Sequence, residues 1–112
     1  MGGSDNRADN VIILKQLKQG QFDAALVSIA VLEKKQPQSP LPWNYRGAAY
    51  LGKKDTAKAR SSFNQALKLD PKSSAAYFYM GKAYKYGYDF DKAGTQFKKV
   101  LDLNDKTVPS TA

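Results

Sequence analysis

Three features of the sequence predict an all-α chain, an α-solenoid of three helix-turn-helix units with six antiparallel helices. Displaced by 34 residues, the sequence lays Gly47 on Gly81, Tyr50 on Tyr84, Ala59 on Ala93 and Phe63 on Phe97 without a gap, and self-similarity at such a period is the mark of stacked repeats. Each unit splits into two stretches of 12 to 14 residues with apolar side chains at i, i+3, i+4 and i+7, the spacing of one buried helix face. No stretch sustains the period-two alternation of a strand, and hairpin turns of the Asn-Gly type are missing.

The first unit, residues 6–39, is expected to hold helices over 8–19 and 22–35. It is the degenerate copy. The same shift brings Ala25 under Ala59 and Pro37 under Pro71, but Asp9, Ile13 and Gln16 stand where the later units have an aromatic, a glycine and a tyrosine. Its first helix is therefore expected to pack less regularly. The cluster Pro37–Pro42 stops the second helix, because proline has no N–H to donate and its ring clashes with the preceding turn.

The middle unit, residues 40–73, is expected to carry helices over 41–53 and 56–69, ended by Asp70-Pro71. The third, residues 74–107, gives helices over 74–86 and 90–103. Asp89 and Asp91 stand at the start of the last helix and are read as capping residues in preference to cation ligands. Gly47 and Gly81 are expected where the two helices of a pair approach closely, with the small Ala59 and Ala93 on the facing helix; a bulkier residue there should cost about 1–3 kcal/mol. Trp43, Tyr77, Tyr50, Tyr84, Phe63 and Phe97 are expected to be core knobs between helices and against the next unit.

Composition narrows the chemistry. The chain has neither cysteine nor histidine, which removes the thiolate nucleophile, the commonest general base and the commonest metal ligands. The remaining Asp, Lys, Ser and Tyr residues form no recognisable catalytic constellation, so the expectation is a protein that is not an enzyme and holds no cofactor and no metal. The longest apolar runs, Val11–Leu14 and Ala24–Val27, fall far short of the roughly 20 residues that span a bilayer, and no membrane insertion is expected. Met1-Gly2-Gly3-Ser4 has no basic or apolar region of a signal peptide; residues 1–5 read as a remnant of cloning and 108–112 as a disordered tail. Absence of cysteine is compatible with the cytoplasm and with an oxidising periplasm.

The middle unit reads Trp43-x2-Arg46-Gly47-x2-Tyr50, then Ala59-x3-Phe63, Ala66 and Pro71; the third reads Tyr77-x2-Met80-Gly81-x2-Tyr84, then Ala93-x3-Phe97. This pattern resembles the tetratricopeptide repeat (TPR) family. The third copy departs at Val100 and Asp105, where the family has alanine and proline. The resemblance implies a right-handed superhelix whose first helices line a concave groove that takes a peptide. It places Leu14, Asn44, Tyr45, Ala48, Phe78, Tyr79, Lys82, Lys85 and Tyr86 in that groove, along with Leu51 and Gly52. So many aromatic side chains beside two lysines suit an apolar or acidic protein segment. Family members that grip the carboxylate tail of heat-shock proteins use Lys, Asn and Arg at places held here by Asn10, Leu14, Tyr45, Ala75 and Tyr79, so that mode is not expected.

The net charge of +8, from 18 basic and 10 acidic residues, offers nucleic-acid binding as a rival reading, although no recognition-helix motif is present. A narrower resemblance, carried by Leu32–Pro37, Ser39–Pro42 and Arg46–Asp55, is to repeats of bacterial TPR lipoproteins that accompany exosortase and exopolysaccharide systems; it implies a segment of a larger assembly platform acting in the periplasm. The apolar faces of the terminal helices are expected to stack on a second chain, giving a homo-oligomer.

Overall fold

The structure, a computed structural model, describes residues 7–104, so the expectations for residues 1–5 and 108–112 lie outside it. Among the described residues there are six helices and no strand: α1 (Arg7–Lys18), α2 (Phe22–Lys35), α3 (Leu41–Gly52), α4 (Thr56–Leu69), α5 (Ser74–Tyr86) and α6 (Phe90–Asn104). The expected helices match to within one residue at every end. Local chemistry sets those ends. Asp55 accepts a hydrogen bond from the Lys58 backbone N–H at 3.1 Å, Ser73 from Ala76 at 3.2 Å and Asp89 from Lys92 at 3.2 Å. Each satisfies a donor that the first helical turn leaves without a partner. The turn inside each pair passes through a left-handed residue at the same register, Gly20 (φ 77°), Lys54 (φ 65°) and Tyr88 (φ 64°).

Packing runs in series along the chain. One core cluster joins Ile13, Ala25, Ile29 and Leu32 to Ala49, and so is closed by the first helix of the next pair. The second joins Leu51, Ala59 and Phe63 to Met80 and Ala83, again closed from the next pair. The sole buried residue of α6 is Ala93, and Phe97 is half-buried where Phe63 is wholly buried.

The glycine positions are as tight as expected, and the structure shows what fills them. A Cβ built on Gly47 would lie 2.3 Å from Phe63 Cε1, and one on Gly81 would lie 2.5 Å from Phe97 Cε1. Each glycine is the seat of a phenyl ring from its partner helix. In the first unit Ile13 takes the glycine place and Ile29 the phenylalanine place, and both are wholly buried. Two branched side chains, one from each helix, thus fill the space that a single phenyl ring fills in the later units. Ile13 is nevertheless the one buried residue of α1.

The turns carry a similar exchange. Phe22 lays its ring against Gly52, where a Cβ would meet Cζ at 2.1 Å. One unit later Thr56 stands for Phe22 and Tyr86 for Gly52.

Besides Phe97, four rings expected in the core are half-buried: Trp43, Tyr50, Tyr77 and Tyr84. Each has a cation over its exposed face. Arg46 lies 4.5 Å from the Trp43 centroid, Lys58 5.6 Å from Tyr50, Lys99 5.9 Å from Tyr77 and Arg60 5.1 Å from Tyr84. Each cation is held by the attraction of a positive charge to the π-face of the ring.

Candidate functional site

The curvature follows from which helices touch. Among the described residues α1 touches α3 and α3 touches α5, whereas α2, α4 and α6 make no contact with one another. The first helix of each pair therefore lies on the inner, more crowded side. That inner face is the candidate site, on a molecule measuring 47 × 36 × 22 Å.

Of the residues expected there, Leu14, Phe78, Lys85 and Tyr86 are exposed, and Tyr45, Ala48, Tyr79 and Lys82 are half-buried. The centre is an aromatic bed. Tyr79 stacks on Phe63 with centroids 5.6 Å apart and planes 9° from parallel, and Phe78 meets Tyr79 edge-on at 5.6 Å. The Lys82 ammonium lies 5.2 Å from the Phe78 centroid and 5.8 Å from that of Tyr79, so cation and rings form one continuous surface. Tyr45 donates its hydroxyl hydrogen to Asn10 Oδ1 at 3.2 Å, tying α3 to α1. Burial, with a smaller contribution from Tyr79, raises the Tyr45 phenol above its ordinary pKa.

Of the other expected residues Asn44 and Leu51 are buried and Gly52 is exposed, and Leu51 and Gly52 line a cleft at the turn edge. Asn44 is 9% exposed and its Oδ1 has no hydrogen-bond partner, while Leu51 is buried in the core with Phe63 and Met80. Gly52 serves as the seat of the Phe22 ring. A step of one residue turns a helix by about 100°, so residues on the boundary of a face pass into the core with a small rotation of α3.

Ion pairs join successive units on the outer side. Arg46 contacts Glu33 at 2.6 Å, and Lys53 pairs with Asp23; the Asp23 hydrogen bond raises the Lys53 pKa above its ordinary value. Among the described residues no cluster of three His, Cys, Asp or Glu residues could hold a metal ion, and no helix is long and apolar enough to cross a membrane.

Models of the tetratricopeptide repeat match residues 40–73 and 75–107. The chain belongs to the tetratricopeptide repeat family. Solved TPR structures agree with its fold. The first TPR domain of the human RPAP3 protein superposes with a TM-score of 0.80 at 26% identity, over 89% of this chain and 79% of that one. The first TPR of Spaghetti (RPAP3), bound to the HSP90 peptide SRMEEVD, gives 0.77 at 26% identity, over 93% of this chain and 85% of that one. MamA from Desulfovibrio magneticus gives 0.78 at 22% identity, over 91% of this chain and 58% of that one. A search of curated protein sequences returns no match.

A further hollow lies beside the expected groove residues. A cleft of about 650 Å³ opens at the turn edge, walled by Tyr86, Tyr88, Phe90, Lys54, Lys85 and Thr56. Lys54, Tyr88 and Phe90 were missed because the TPR pattern assigns the turns no binding role. The available signal was the spacing of Lys54 and Tyr88, one and two periods of 34 after Gly20, which puts two bulky side chains at a position suited to glycine. A second hollow, of about 680 Å³, is lined from Ala57 to Lys68 by the outer face of α4 alone, and offers no aromatic wall.

Proposed function

We propose that this TPR domain is a non-catalytic interaction module whose inner face, from Tyr45 across Phe78, Tyr79 and Lys82 to Lys85 and Tyr86, holds an apolar or acidic segment of a partner protein. The observation that carries the reading is the aromatic bed with Lys82 laid across it. Phe78 and Tyr86 are exposed rings on a surface that water would otherwise cover, and Lys82 and Lys85 give that surface its charge. Rigid rings lose little conformational entropy on contact and serve as anchors, and lysines supply attraction for an acidic chain.

The related Spaghetti domain is bound to an acidic heat-shock peptide, and the same ligand is not proposed here. A carboxylate tail needs charged donors in a fixed fork. The corresponding places carry Asn10, whose Oδ1 is engaged by Tyr45, along with Leu14, Ala75 and the stacked Tyr79.

The test is a peptide-display selection on the whole chain, followed by amide NMR mapping of the selected peptide and titration with SRMEEVD. Selected peptides should move resonances of α3 and α5, and Phe78→Ala with Lys82→Ala should weaken them at least tenfold while SRMEEVD leaves the spectrum unchanged. Both substitutions are at positions outside the core clusters, so folding is preserved. Peptides mapping to the outer faces of α2, α4 and α6 would overturn the reading.

A further inference from the structure

The two ends of the described helices are the two halves of a junction that the molecule already makes twice. At the first internal junction Ile29 and Tyr45 belong to one packed cluster, and Glu33 pairs with Arg46. At the second, 34 residues on, Phe63 stacks on Tyr79 and Leu67 packs in the cluster of Met80. Adding the period once more to the donor side gives Phe97 and Leu101 on α6; subtracting it from the acceptor side gives Val11 and Ile12 on α1. Phe97 is half-buried and the other three are exposed. Leu101 is 69% exposed, Val11 64% and Ile12 48%, although Met80, the counterpart of Ile12, is 4% exposed.

The remaining contacts of the junction also match. Phe22 on Gly52 becomes Phe90 over the aliphatic stem of Lys18, and Asp23 with Lys53 becomes Asp91 beside the Gln19 amide. No like charges are brought together at these four places.

We propose that these faces dock head to tail, α6 of one copy upon α1 of a second, in the geometry by which α2 receives α3 and α4 receives α5. The occupant is a second copy because its α1 carries apolar residues at the register where α6 offers Phe97 and Leu101. Such an interface joins two different surfaces and does not close on itself, so copies add in series. One helix-pair junction is small beside the roughly 1,600 Å² of a stable complex, and the net charge of +8 opposes it. Association is therefore weak, apolar in origin and strengthened by salt, which screens the repulsion. This proposal is independent of what the inner face binds.

The test is analytical ultracentrifugation of the whole chain from about 10 µM to about 1 mM, spanning affinities expected of weak contacts. The weight-average mass should rise beyond that of a dimer, and more so at higher salt. Ile12→Asp and Leu101→Asp should each remain monomeric with unchanged helical content, both residues being exposed. Mixed in equal amounts, the two variants should form a dimer, since each keeps the face the other has lost. A monomer throughout would overturn the proposal. So would association of Ile12→Asp alone, which would mean that α6 pairs with α6.

Discussion

Substituting Gly47 by alanine tests the packing logic most directly. The added methyl would stand 2.3, 2.5 and 2.7 Å from three atoms of the Phe63 ring edge, far inside van der Waals contact. The ring has little room to yield, being wholly buried and stacked on Tyr79. Alanine gains about 1 kcal/mol over glycine in helix propensity, while overpacking costs about 1–3 kcal/mol. With the ring fixed on both sides the upper part of that range applies, and the net loss is about 1–2 kcal/mol. At this chain length each kcal/mol moves the midpoint by roughly 4 °C, so thermal unfolding followed by circular dichroism should show a fall of about 4–8 °C. Gly94 supplies the control. It also lies within a helix, and a Cβ there meets nothing within 4 Å, so Gly94→Ala should stabilise by roughly 0.5–1 kcal/mol. The same chemical change then has opposite signs at two sites. A double variant, Gly47→Ala with Phe63→Leu, should be less destabilised than the sum of its parts by about 1 kcal/mol or more, as for residues in contact. If Gly47→Ala stabilised as much as Gly94→Ala, the account of the seat would be wrong.

Lys54→Gly should raise stability by about 0.5–1 kcal/mol in urea unfolding, because it relieves a left-handed residue; a loss would show that the Lys54 side chain holds the turn. Asn44→Leu should be neutral or stabilising by about 1 kcal/mol, since it removes a buried oxygen that lacks a partner, and destabilisation would reveal a bond to that oxygen. In an ultraviolet pH titration Tyr45 should ionise later than an ordinary tyrosine. Its folded pKa lies above the unfolded value, so its contribution to stability is whole below the unfolded pKa and is lost as pH rises through the folded one. Tyr45→Phe should remove the late step, and an unchanged titration would refute the assignment.

The helices were legible almost to the residue because proline, aspartate and the period of 34 punctuate them. So were the tight places at Gly47 and Gly81, where glycine recurs opposite a phenylalanine. The fate of Trp43, Tyr50, Tyr77 and Tyr84 was not legible. Each is large and apolar enough for a core, and only the positions of Arg46, Lys58, Lys99 and Arg60 over their outer faces show that burial stops halfway. Phe78 and Tyr86, expected on the inner face, are exposed rings. Asn44 and Leu51, expected beside them, are buried, since they sit on the edge of the helical face, where a rotation of tens of degrees separates groove from core. The turn cleft escaped because the left-handed places at Lys54 and Tyr88 hold no glycine, and only their periodic spacing from Gly20 marks them.

The exchange at the turns bears on how such a molecule could have been assembled. Phe22 fits Gly52, and Thr56 leaves room for Tyr86. Were the units permuted so that the first preceded the third, the Phe22 ring would collide with Tyr86; were the middle one duplicated, Thr56 would face Gly52 across a void. The side chains are matched in size across each seam, so the three units could not be reordered without a clash or a gap.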